Sequence, residues 1–129
     1  FSVECRSRNQ ESLNLVFEQV GIVLDKLREQ GFVVLEKPLM ELAPTHLSDR
    51  VTAALRRGLS TCGFTEKVLP SGAGHDSMCI AGITDVGMVF VASRDGRSHC
   101  PEEYSDPKDI ADACNVVFEA LMELDQIFN

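Results

Sequence analysis

Two short stretches hold most of the residue types that can do chemistry. The first is LPSGAGHDSMC, residues 69–79; the second is SRDGRSHCPEEY, residues 93–104. In the first, Gly72, Ala73 and Gly74 let a backbone come close to a ligand, and His75 and Asp76 open what reads as a short helix. Free N–H groups at a helix start favour an anion or a developing oxyanion. The same residues also read as a plain strand-to-helix turn, with Asp76 an early acid that suits the helix dipole. No Lys-Ser/Thr pair follows, so this is not a phosphate-cradling P-loop. In the second stretch, His99 lies past the end of an apolar run and behind Gly96. Ligands of open α/β sheets bind at such strand ends. An imidazole there can ligate a metal or move a proton; an ordinary exposed loop histidine is the alternative. Cys100 is its neighbour on an extended chain and faces the other way, so a spectator thiol is expected. Arg6 closes the alternating segment FSVECR. Its guanidinium can clamp a carboxylate in a two-donor fork, or serve as a surface arginine. His46, between Pro44 and a helix start, is given no role.

The elements that must position these residues alternate strand and helix. Phe1, Val3 and Cys5 alternate against Ser2, Glu4 and Arg6, the pattern of a half-buried strand. Leu13, Val16, Phe17, Val20, Leu24 and Leu27 recur at helical spacing, and Gly31 suits the position after the helix. FVVLEK, from Phe32, reads as a second strand, giving a β-α-β unit that closes near Pro38. Pro44 marks a break. Leu47, Val51, Leu55, Leu59 and Cys62 make a second amphipathic helix, stopped by Gly63. A short strand at 65–69 leads into the glycine turn, and a short helix at 75–82 follows. GMVFVAS, from Gly87, is a continuous apolar run, as expected for a strand buried on both faces. DPKDIADACNVVFEALMEL then opens a final helix with an early Pro107. The class expected is α/β or α+β.

Composition narrows the partners. A chain of 129 residues suits one domain or pieces of two. A net charge of −8 argues against nucleic acid or anionic membrane, which need clustered Lys and Arg. No apolar run approaches the roughly 18 residues of a membrane span. The five cysteines are an odd number without a C-x-x-C pair, which argues against a disulfide scaffold or a thiolate zinc knuckle. A reducing, cytoplasmic setting fits, and no targeting segment is visible. Phe1 is not an initiator residue, so a cut through a longer protein is expected.

Taken together, LPSGAGHD, GMVFVASRDGRSHCPEEYSDPKDI and the final amphipathic helix resemble the C-terminal part of the dinuclear-metal amidohydrolases related to aminoacylase and carboxypeptidase G. More narrowly they resemble the N-carbamoyl-L-amino acid hydrolase, beta-ureidopropionase and allantoate amidohydrolase branch. FSVECR is similar to that branch's lid-domain strand ending in Arg. The resemblance implies a zinc-peptidase-like catalytic α/β domain interrupted by a smaller α+β lid domain that also forms the homodimer. Residues 1–40 would be the second half of the lid, and residues 41–129 the C-terminal part of the catalytic domain. It implies that His99 is a metal ligand, that Gly72, Gly74 and His75 contact substrate, and that Arg6 holds the substrate carboxylate, reaching into the partner subunit's site. Glu103 falls on the acidic position of the family's Ser-His-x-Pro-x-Glu pattern and would support the ligands without binding metal. Cys100 departs from the Asn or His often found there. Two divalent ions, zinc or manganese, are implied, with most ligands and the general-base Glu outside this chain. The isolated chain is therefore expected to be inactive. The substrate implied is a small ureido or carbamoyl carboxylate. An aminoacylase or dipeptidase of the same superfamily, or a dimerising module without catalysis, are the alternatives.

Overall fold

A computed structural model describes residues 1–128. The helices follow in the order α1 (Gln10–Glu29), α2 (Asp49–Thr61), α3 (Asp76–Ile80) and α4 (Pro107–Phe128), with a 3-10 turn at Arg94–Gly96 before α4. The chain divides into two compact units. One is Phe1–Thr45 with Pro70–Ala73, and the other is His46–Leu69 with the residues from Gly74 onward. No helix among the described residues is long and apolar enough to cross a membrane.

In the first unit, α1 starts where the sequence provides a cap. The Asn9 Oδ1 accepts from the N–H groups of Glu11 (2.7 Å) and Ser12 (3.4 Å), satisfying two of the helix's unpaired donors. Its end is set by Gly31 at φ +88, a conformation that costs a glycine nothing. Gly31 N–H then reaches Arg28 O at 2.9 Å and Phe32 N–H reaches Leu27 O at 3.1 Å, closing the last turn. Arg28 bridges Asp25 at 2.6 Å and also pairs with Glu36 beyond the helix. Leu13 is the buried residue of α1, while Leu15, Phe17 and Val23 stay exposed.

In the second unit, α2 packs on α4. Ser48 caps α2 through its hydroxyl and donates its own N–H to Val86 O at 2.9 Å. The core is Ala54, Val86, Val116 and Ala120. The Arg57 guanidinium on α2 pairs with Glu123 on α4. Small residues set the crossing. A Cβ added to Gly58 would sit 2.5 Å from Val116 O, and one added to Gly87 would sit 2.5 Å from Val51 Cγ1. Gly58→Ala must therefore separate the helices. The expected cost is about 1–3 kcal/mol from overpacking, partly offset by the better helix propensity of alanine. Urea unfolding of the full-length protein reads this as a lowered midpoint. A midpoint at or above wild type would show that α2 and α4 are not this close.

The helices form where the periodicity places them; the strands do not form. None of the segments at 1–6, 32–37, 65–69 and 87–93 has ladder pairing among the described residues. The β-α-β unit and the sheet expected of an α/β class are therefore not seen among the described residues. Alternation encodes which face of a strand is apolar, but a strand also needs a neighbour to take its N–H and C=O groups. The side chains record the missing neighbour: Val33 is 90% and Leu35 91% exposed. GMVFVAS is likewise not buried on both faces. Val86 and Gly87 lie against α2, but Phe90 remains 49% exposed. An open apolar groove persists beside this run, lined by Val51, Leu55, Met88, Val117 and Leu121.

Candidate functional site

His99 sits in a loop that closes on itself. Arg94 N–H donates to Tyr104 O at 2.8 Å, joining its two ends, and the Arg94 guanidinium lies 4.4 Å over the Tyr104 ring. Within it, the Ser93 hydroxyl donates to Arg97 O at 2.6 Å and Glu103 N–H donates to Cys100 O at 3.0 Å. Asp95, Gly96 and His99 all have positive φ, with His99 at +56. For a non-glycine residue that backbone region is sparsely used and costs about 1–3 kcal/mol, so something must hold it. Glu103 does so: its Oε2 accepts the His99 backbone N–H at 2.7 Å. The result is an exposed imidazole on a fixed backbone. Glu103 thus acts on the main chain of His99.

Arg6 lies in the other unit, with Gly72. Its Nε donates to Glu4 Oε1 at 2.6 Å and its NH1 donates to Gly72 O at 2.7 Å, across 66 residues of sequence. Both bonds are within the chain. Gly72 belongs to a tight turn in which Ala73 N–H donates to Ser71 Oγ at 3.1 Å. The guanidinium lowers the Glu4 pKa below the ordinary carboxylate value, first by the hydrogen bond and then by its charge. Glu4 raises Arg6 in turn. A depressed carboxylate favours the paired state above its unfolded pKa and loses that contribution as pH falls through the folded value. A side-chain NMR titration of the full-length protein is expected to show Glu4 titrating below ordinary exposed glutamates, and returning toward them in Arg6→Gln. No change on that substitution would mean the pair does not persist in solution.

His75 belongs to the second unit. It precedes α3 with φ −134 and ψ 158, and its ring meets Phe90 edge-on at 6.4 Å and 73°. Gly74 precedes it, and the nearest atom to an added Cβ there would be Met78 Sδ at 3.9 Å. α3 has five residues, with Asp76 in its first turn. So short a helix aligns few peptide dipoles, and the anion-binding start read from the sequence is correspondingly weak.

The structure therefore brings together Arg6 with Gly72, and His99 with Glu103. Two contributors escaped the sequence reading. Tyr104 closes the His99 loop through a main-chain carbonyl, which leaves no signature in residue type. Glu4 was legible: residues i and i+2 of an extended chain share a face, so Glu4 had to lie beside Arg6. Among the described residues no three His, Cys, Asp or Glu side chains gather as a metal ion requires. A catalytic zinc takes about three protein ligands. The donors of this chain do not fit a metal ion by themselves, and His99 can supply only one imidazole.

Residues 15–123 match the model of peptidase family M20/M25/M40, and the chain belongs to that family. Within it, the chain is 39% identical to an N-carbamoyl-L-amino-acid amidohydrolase of Paenarthrobacter aurescens, over 98% of this chain and 31% of that protein. It is 32% identical to the N-carbamoyl-L-amino acid amidohydrolase of Geobacillus stearothermophilus, with the same coverage of each. It is 26% identical to an allantoate amidohydrolase of Bacillus subtilis, over 96% of this chain and 30% of that protein. The chain thus spans under a third of the length of these curated relatives.

Proposed function

We propose that the protein carrying this chain is an amidohydrolase that cleaves the C–N bond of a carbamoyl or ureido group in a small carboxylate, such as an N-carbamoyl amino acid or allantoate. For a carbamoyl substrate, R–NH–CO–NH2 and water give the amine R–NH2, ammonia and carbon dioxide. The observation that carries the reading is His99: an exposed imidazole on a left-handed backbone, held there by a carboxylate. Strain sustained at a loop histidine is the kind of feature functional sites retain. The names and identities of the relatives support the substrate class.

In this reading His99 is one ligand of a metal site holding two divalent ions, zinc or manganese, whose other ligands are supplied by residues not in this chain. Arg6 binds the substrate carboxylate. Gly72, Gly74 and His75 border the substrate. No atom lies within 4 Å of where a Gly72 Cβ would be, so its open side is available to a ligand. Residues 1–40 are proposed as lid, which also forms a homodimer, and residues 41–129 as part of the catalytic domain. The first compact unit ends its main segment at Thr45, near that boundary, and also takes in Pro70–Ala73. The α/β character belongs to the assembled protein, where the alternating segments would find strand neighbours.

The test is ammonia release by the full-length protein from N-carbamoyl amino acids and allantoate, beside release of free amino acid from N-acetyl amino acids and dipeptides. Turnover of the ureido compounds is expected. Turnover confined to N-acetyl amino acids or dipeptides would establish the aminoacylase or dipeptidase reading, and no turnover of any would favour a dimerising module.

A further inference from the structure

Arg6 is presented as a fork with one edge already anchored. A guanidinium has five N–H donors. Glu4 takes one on Nε at 2.6 Å and Gly72 takes one on NH1 at 2.7 Å, so three of the five remain. The side chains of Arg6 and Glu4 are both largely exposed, at 62% and 69%. A long arginine side chain on an open surface samples many rotamers, and ordering it on binding costs conformational entropy. Two acceptors on different nitrogens of a planar group fix both its position and its plane. From this geometry we infer that Glu4 is a positioning residue: it holds the Arg6 guanidinium, with Gly72, so that the remaining donors face an incoming carboxylate. Glu4 does not touch the substrate; it acts through Arg6. The inference rests on the proposed role of Arg6 as the carboxylate clamp and adds to it the residue that orients the clamp.

The competing role for the same carboxylate is an occupant that the substrate must displace. The bonding favours positioning. Glu4 engages Nε, while Gly72 engages a different nitrogen. One N–H on NH1 and two on NH2 remain for a second carboxylate, so the substrate has no need to evict Glu4. The two roles predict opposite effects. If Glu4 positions Arg6, then Glu4→Ala in the full-length protein raises KM for a carboxylate substrate by roughly three- to tenfold, the scale of a lost partly solvated contact plus misplacement. kcat stays within about twofold where the clamp binds ground state and transition state alike. Glu4→Gln restores most of the affinity, because its amide oxygen still accepts from Nε without the charge. An analogue with the carboxylate replaced by a neutral amide shows the same KM in wild type and Glu4→Ala.

Arg6→Lys is measured in parallel. If Arg6→Lys raises KM but Glu4→Ala does not, the positioning role is overturned and the clamp stands. If Glu4→Ala lowers KM, Glu4 is a competitor and the inference is overturned. If neither substitution changes KM, the clamp reading itself has failed and the inference with it. A KM rise in Glu4→Ala that Glu4→Gln does not rescue would assign the effect to charge or folding, and would also overturn it.

Discussion

Arg6→Lys in the full-length protein is expected to raise KM for N-carbamoyl amino acids by roughly tenfold or more while leaving the unfolding midpoint nearly unchanged. Lysine keeps the positive charge but replaces a planar fork with a point donor. A carboxylate bound through two parallel N–H groups then loses one of them and the orientation both supplied. The fold has little stake in the change. Arg6 is exposed and its bonds go to Glu4 and to the Gly72 carbonyl, an exposed carboxylate and an exposed loop. Exposed ion pairs of this kind contribute little to stability. kcat falls less than kcat/KM if the clamp binds ground state and transition state alike, and falls with it if the lysine misplaces the scissile bond. Steady-state kinetics with a carboxylate substrate and its neutral amide analogue decide the matter. Equal kinetics for wild type and variant on the carboxylate would return Arg6 to the surface as a bystander.

How much of this was legible in the sequence differs by the reach of each interaction. Helices were, because their hydrogen bonds are local and their caps are spelled in residue types. Asn9 and Ser48 start α1 and α2, Gly31 and Gly63 follow them at positive φ, and Pro107 opens α4. Strands were legible only as apolar patterns. Phe32, Val33, Val34 and Leu35 form an apolar run of strand length, yet no described residues pair with the backbone of Val33 or Leu35, so the pattern stays unrealised. At the site, residue types flagged Arg6, Gly72, His75 and His99. Their connections were hidden, because a bond from Arg6 to the Gly72 carbonyl, or from the His99 N–H to Glu103, depends on main-chain placement. The left-handed backbone at His99 had only a weak signal: histidine is enriched with asparagine and aspartate among non-glycine residues at positive φ, yet the conformation is uncommon for all three.

His99→Ala in the full-length protein should reduce turnover of ureido substrates by about a hundredfold or more, the scale of losing a residue central to the chemistry, and should also lower bound metal. The reason both effects fall on one residue is structural. The loop from Arg94 to Tyr104 is closed by main-chain bonds and by the Arg94–Tyr104 ring contact, and the His99 imidazole takes no part in that closure. Removing the imidazole therefore leaves the loop's own bonds intact. Glu103 still accepts the backbone N–H of residue 99. A drop in activity would then come from the lost nitrogen donor, not from a collapsed loop. Two controls sharpen this. His99→Asn, which tolerates the left-handed conformation at least as well, should be as inactive as His99→Ala, since an amide is a poor substitute for an imidazole ligand. Glu103→Ala removes the carboxylate holding the His99 backbone but keeps the imidazole. It should lose less activity than His99→Ala, with weaker metal retention under dialysis, as expected for a group that supports a ligand. Metal content by mass spectrometry and ammonia release are measured on the same preparations. Wild-type turnover and metal content in His99→Ala would remove His99 from the site, and the strained loop would then need another explanation.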